Sequence, residues 1–573
     1  MRTHGIPALL ALGLALLPAD AEARTLYVGA TAQPGGDGSR RAPFDSLAEV
    51  EGVARRGDRI VVLRSPRSSP PLDGGIRLKA GQSLIGGGPS VLAKTQPRRA
   101  PRITNTDADR HAGDAVRLAR GATVRNLEIT GAVRGGIYGR NVSGALVRGN
   151  DVSGHNTSCT PGFHIPPFNV PTTVPGAGIP ISDGLMNGWA GIMLDASRGS
   201  GRIRILHNRV HDAECGDGID VRLSGTAHFR AKIHRNTVEN LMQGEDLESV
   251  LAIGLQTREQ ASLVAKLDRN VQTNLGNEGD VAGPEGADSE GVFVNPSGPS
   301  RLTAEVRRNT YTNPNNRGGF SANGLEFVSM GDGSRARVVV RNSKFSGTPG
   351  DVLEQLALGT NARLSLELED VVAERSTGHA GTGFGNTVII PGNNSDCLLS
   401  ASGGAGNIVD LAIRDSRLTD CANNGITFGS AVANGEGSTA RLSLQIADTT
   451  ITGNRGANLR VGNETGLDEL SVKVERSNLS DSKGTGSGVA NVTFEELGTT
   501  ELSEIDLGGG ALGSAGANCL GGGTLAAYVM GYDVSAAGNW WGTPGGPGPG
   551  RTLVATGSLT DSPALDSAPP GVC

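Results

Sequence analysis

Residues 205–223 read ILHNRVHDAECGDGIDVRL, and the opening six, ILHNRV, return at 233–238 as IHRNTV. In both copies aliphatic residues alternate with polar ones around an Asn. Further copies are VRNLEI (124–129), LVRGNDV (146–152), VRRNTY (306–311), VRNSKF (340–345), IRDSRL (413–418), IADTTI (446–451) and VERSNL (474–479). Between them lies a second element, Gly followed by alternating apolar residues: GIYG (136–139), GIMLD (191–195), GIDVRL (218–223), GVFVN (291–295), GLEF (324–327) and GITF (425–428). Period-two runs of this length predict strands with one buried face.

The shortest interval between equivalent positions, Ile129 to Val152, is 23 residues, and Val210 to Val238 is 28. A floor near 23 with variable excess predicts a coil of three short strands joined by extensible loops. Stacked coils satisfy one another's backbone hydrogen bonds and enclose a continuous aliphatic core. Asn150, Asn208, Asn236, Asn309 and Asn342 are then candidates for an amide ladder along the stack. Composition agrees: Gly is 87 of 573 residues and aromatics are 3%, which calls for many turns and an aliphatic core.

This pattern resembles the right-handed parallel β-helices of the pectin-lyase-like fold, over nearly the whole mature chain. The segment LYVGATAQPGGDGSRRAPFDSLAEVEGVARRGDRIVV (26–62) is similar to the entry segment of secreted members, with a capping box at SLAE (46–49) opening a short helix. The implied architecture is an all-β parallel helix of about a dozen coils with a short N-terminal capping helix. We divide it into a signal peptide (1–23), an N-terminal cap with the first coils (24–120), central coils (121–500) and C-terminal coils with a Trp/Gly/Pro-rich end (501–573).

The first residues predict export. Arg2 precedes the apolar run IPALLALGLALL, and ADAEA offers cleavage after Ala21 or Ala23. That run is too short to span a membrane, so the mature protein is expected to be secreted or periplasmic, without a membrane span. Cys159, Cys215, Cys397, Cys421, Cys519 and Cys573 suit an oxidising compartment. Pairing by neighbourhood gives 159–215, 397–421 and 519–573, although six cysteines leave other pairings open. The formal charge is −6 and no basic run tracks phosphates, which argues against nucleic acid as a partner. A monomer is expected.

Inward Ile219, Val221 and Leu223 imply outward Asp220 and Arg222. The repeats then align Tyr138, Met193, Asp220, Phe293 and Glu326 in one outer column. A neighbouring column holds Arg140, Asp195, Arg222, Gln256 and Asn295. The fold resemblance implies that such an outer sheet face binds an extended sugar chain. Asp195, Asp220 and Arg222 are the candidate catalytic residues. Tyr138, Arg140, Trp189, His228, Gln256, Phe293 and Glu326 are the candidate substrate-binding residues.

Asp195 and Asp220, about 8 Å apart by strand geometry, could serve as the two carboxyls of a glycoside hydrolase. Alternatively, Asp195 simply pairs with Arg222. β-Elimination of a uronate would instead use Arg222 with His228 or His211, and Arg140 or Ca²⁺ on the carboxylate. Long segments 153–190 and 276–290 flank the face; the acidic second one could hold Ca²⁺ or be a plain solvated loop. Trp540 and Trp541 in GNWWGTPGGPGPG (538–550) read as an end cap before a sugar platform. The expected function is a secreted carbohydrate-active protein, a polysaccharide lyase or glycoside hydrolase. The alternative is a non-catalytic, adhesin-like or matrix-binding rod.

Overall fold

A computed structural model describes residues 23–573 apart from 88–99, 166–167, 171–178, 182–184, 245–248, 277–287, 315–320, 379–394, 431–438 and 485–487. One coil shows the plan. Strand Ile192–Ala196 lies in one sheet; Ser200–Leu206 and Arg209–Ala213 form two arms of another. The next coil repeats it with Ile219–Leu223, His228–His234 and Thr237–Leu241. Equivalent strands pair in parallel and in register, as at Leu194↔Val221, Ile205↔Ile233 and Val210↔Val238. The two sheets have 26 and 17 strands among the described residues. The fold is a parallel β-helix, with the inward residues of every coil joined in one aliphatic core.

The two arms meet at a residue in the left-handed region. His207 (φ 56°), Arg235 (52°), Arg269 (56°), Arg308 (52°) and Asn342 (48°) occupy this corner in successive coils. It is an unfavourable conformation for a side-chain-bearing residue. The residue that follows compensates by bonding across coils. Asn150 donates its backbone N–H and its Nδ2 to Asn208 Oδ1, both at 3.0 Å; Asn208 does the same to Asn236, and Asn236 to Asn270. Asn309 accepts from the Asn270 amide at 2.7 Å.

Two adjustments to the expected ladder follow. Asn270, in LDRNV (267–271), is a further rung. Asn342 is not a rung: it is the corner residue, and Ser343 takes the ladder place, accepting from the Asn309 amide at 3.1 Å. Hydroxyl rungs at Ser416, Thr449 and Ser477 then lead to Asn518 and Asn539.

The helix Leu47–Val53 begins at Ser46, whose Oγ accepts from the Glu49 amide at 3.3 Å, and it buries Leu47 and Val50 in the core. At the other end Trp541 is in the core and Trp540 is only partly covered, so Trp541 serves as a plug. The disulfides are Cys159–Cys215, Cys397–Cys421 and Cys519–Cys573, with Cα separations of 5.2, 5.5 and 5.6 Å. The signal segment to residue 22 lies outside the described residues. Among those described, no helix is long and apolar enough to cross a membrane.

Candidate functional site

The two outer columns form in the second sheet as expected. Tyr138, Met193, Asp220, Gly254, Phe293 and Glu326 are successive partners in one; Arg140, Asp195, Arg222, Gln256 and Asn295 in the other. The expectation of a single open face is corrected, however, because part of segment 153–190 folds back over it. Pro161–Ile165 and Leu185–Gly188 pair as an antiparallel hairpin, with Pro161 opposite Gly188 and His164 opposite Met186. Arg222 donates to Gly162 O, and Gln256 Nε2 donates to His164 O at 3.0 Å. These backbone carbonyls find their donors on the sheet, which seats the hairpin.

Asp220 and Gln256 lie buried on the strands that hold the hairpin, and Met193, Phe293 and Glu326 are buried as well. Trp189 is nearly buried against Tyr138 and Met193. His228 is not beside Arg222: it belongs to the first sheet, opposite Ser200 and Ser262. His211 lies on the other arm of that sheet, held between Asp151 (2.5 Å) and Asp212 (2.7 Å). His228 opens the strand after the turn that ends Ile219–Leu223, and His211 lies on the arm beyond the next corner of the preceding coil.

Asp220 and Asp217 form a buried acid pair. Asp217 Oδ1 accepts the Leu251 amide at 2.8 Å, while its Oδ2 and both Asp220 oxygens meet no donor at good geometry. Removal from water raises both groups; Asp217 goes well above the usual carboxylate range and Asp220 up to about 7, with Arg222 opposing the rise. A proton held between the carboxyls supplies the missing donor. Gly254 makes room for the pair, since a Cβ there would sit 2.6 Å from Asp220 Oδ1.

A second set of buried acids escaped the sequence reading except for Glu326. Asp351 Oδ1 accepts the Asp396 amide at 2.7 Å, Asp396 Oδ1 accepts the Asn424 amide at 2.7 Å, and Glu354 Oε2 accepts Asn323 Nδ2 at 2.6 Å. Burial raises all three acids, Asp396 to about 6; neighbouring acids add to the rise of Asp351 and Glu354. The signal was present: GDGID (216–220), GDVLE (350–354) and SDCLL (395–399) each place an acid just before the strand. At Asp217, Asp351 and Asp396 it caps a backbone amide of the next coil.

One open part of the second sheet lies at its N-terminal end. There a cleft of about 390 Å³ is lined by Arg77, Arg117, Arg134, Tyr138 and Arg140. Fully buried Asp114 anchors two of the arginines: Arg117 Nε at 3.0 Å, and Arg134 through Nε at 2.9 Å and Nη2 at 2.6 Å. The Arg134 guanidinium lies 3.9 Å from the Trp189 ring centroid and 5.3 Å from that of Tyr138. Tyr138 meets Trp189 edge-on at 5.1 Å. This stacking fixes the guanidinium plane toward the cleft.

Arg77 and Arg140 have no carboxylate partner among the described residues. Asp195 is in register with Arg140 on one side and Arg222 on the other, with its carboxylate 3.7 Å from Arg222. The paired reading of Asp195 and Arg222 is therefore the observed one. Burial, with Asp195 as the next cause, raises the Tyr138 phenol, so it is protonated at neutral pH. The structure thus brings Tyr138, Arg140 and Asp195 together beside Trp189 and leaves Gln256, Phe293 and Glu326 farther along the stack.

Among the described residues no group of three or more His, Cys, Asp or Glu is arranged to hold a metal ion. Most of the acidic segment 276–290 lies outside those residues.

No protein-family model and no curated protein matches the chain. Among solved structures it is similar to a mannuronan C-5 epimerase A-module from Azotobacter vinelandii. The identity is 12%, coverage is 83% of this chain and 97% of that one, and the TM-score is 0.30. A DFA-IIIase variant from Arthrobacter chlorophenolicus shows 12% identity, coverage of 75% and 95%, and a TM-score of 0.30. A rhamnogalacturonan lyase shows 10%, coverage of 82% and 84%, and 0.25. At these scores none lends this chain an activity or a residue role. By its own strand pairing the chain is a parallel β-helix whose open arginine cleft adjoins a hairpin-covered sheet face.

Proposed function

We propose that this is a secreted or periplasmic carbohydrate-active protein that takes an acidic polysaccharide into the arginine cleft and cleaves it as a lyase. The observation that carries the reading is the set of four guanidinium groups around Tyr138, two of them without a carboxylate partner among the described residues, next to Asp195. Arg140 and Arg77 neutralise the uronate carboxylate, which acidifies the adjacent C5 proton. Asp195 takes that proton, the C4–O bond breaks as the C4–C5 double bond forms, and protonated Tyr138 supplies the proton to the departing oxygen. Arg222, 3.7 Å away, positions the Asp195 carboxylate.

Hydrolysis is less favoured, because Asp220 is buried and cannot flank a glycosidic bond together with Asp195. One observation favours the non-catalytic, matrix-binding alternative: the Asp195 carboxylate already has a partner in Arg222, 3.7 Å away. The test is a depolymerisation assay on polyuronates and neutral glycans, with and without Ca²⁺. It follows reducing ends and the ultraviolet absorbance of unsaturated uronates. Both signals together support the lyase. Reducing ends without absorbance would replace it by a hydrolase, and binding without cleavage by the matrix protein.

A further inference from the structure

In the N-terminal coils of the first sheet, strands Thr123–Arg125, Leu146–Arg148, Ser200–Leu206 and His228–His234 carry cations and no acid, while acids stand on the other arm (Glu128, Asp151, Glu239) and at Asp268. Arg202 lies opposite Arg230, and Arg204 opposite Lys232, which in turn lies opposite Lys266. Arg125 lies opposite Arg148 in the column that continues through Leu206, His234 and Asp268, and Arg235 and Arg269 stand at the corner beyond it. Adjacent coils are about 4.8 Å apart, and like charges directly opposite one another destabilise a sheet. Among the described residues only Lys266 of this group has an acidic partner, Glu305 at 3.2 Å.

The later coils of the same face provide the comparison. There too arginines stand opposite one another, as Arg301, Arg335 and Arg363 do, but acids are interleaved: Arg337 pairs with Glu367 at 2.7 Å and Arg341 with Glu369 at 2.6 Å. The cations are exposed, and their field reaches His207, which Arg148 and Arg235 help to keep neutral after burial itself.

We propose that this face is a docking surface for an anionic polysaccharide, separate from the arginine cleft on the second sheet. A row of cations at one-coil spacing suits an extended chain carrying regularly placed carboxylate or sulfate groups. The outward side chains here include no Phe, Tyr or Trp on which bases could stack. Neither do they offer an apolar stripe to enter a bilayer. A glycan is thus favoured over nucleic acid or a membrane, and it offsets the repulsion between coils.

The test uses the full mature chain and measures binding to polygalacturonate, heparin, single-stranded DNA and phosphatidylglycerol vesicles over a salt series. Expected are glycan binding that weakens with salt, and a loss of about tenfold or more in R204E/K232E, equivalent to about 1.4 kcal/mol or more. Melting temperature should be unchanged. Arg140→Ala, in the cleft, separates the two surfaces: it should affect turnover without reproducing this loss. Unaltered glycan affinity in R204E/K232E would overturn the proposal, and tighter binding to DNA or vesicles would overturn the choice of a glycan.

Discussion

Asp220 shows how a residue's place in the register and its chemistry can diverge. Alternation puts its side chain on the outer side of the sheet, yet it is buried there. Its carboxyl is held up at about 7 by burial, whereas an unfolded chain ionises it near pH 4, at about 3.9. The fold therefore binds more protons than the unfolded chain across that interval, so stability falls as pH rises from about 4 to about 7 and levels off beyond. Asp220→Asn, which keeps the shape and supplies a donor to Asp217, should raise the melting temperature more at pH 8 than at pH 5. Thermal melts of both proteins across that range check it, and a pH-independent difference would contradict the shared-proton account. In the cleft, Tyr138→Phe should lower kcat by about 10²-fold or more with little effect on KM. Arg140→Ala should act mainly on kcat/KM. Steady-state kinetics on a polyuronate distinguish the two.

Elements set what could be read in advance. The Asn rungs were legible because Asn recurs at one point of an alternating strand, and Asn150, Asn208, Asn236 and Asn309 stand there. Asn342 misled because VRNSKF shifts its Asn by one place onto the left-handed corner. Periodicity fixes faces, whereas a corner depends on φ. Asn236→Ala removes the amide that bonds both neighbouring coils and should cost about 1–3 kcal/mol, measurable by urea denaturation. Ser343→Asn restores the ladder's commoner residue and should be neutral or stabilising. The hairpin was not legible: segment 153–190 has no repeat to give it a register, and its seating rests on Arg222 and Gln256 reaching the carbonyls of Gly162 and His164. The columns were thus readable and their cover was not.

Across the whole molecule charge is sorted by face and by depth. The formal charge of −6 counts Asp217, Asp220, Asp351, Glu354 and Asp396, all raised by burial, so the water-facing surface is more basic than the total suggests. Winding brings arginines far apart in sequence, Arg77 and Arg140 among them, to one cleft. A linear scan for basic runs cannot find such a cluster. The most direct measurement is cleavage of polyuronates by the purified mature protein and by Arg140→Ala, followed by the absorbance of unsaturated uronates. The account predicts absorbing products from the wild type, reduced at least about tenfold at low substrate in the variant, the equivalent of about 1.4 kcal/mol in transition-state binding. Equal turnover by the two proteins, or no binding and no turnover on any acidic glycan, would contradict it.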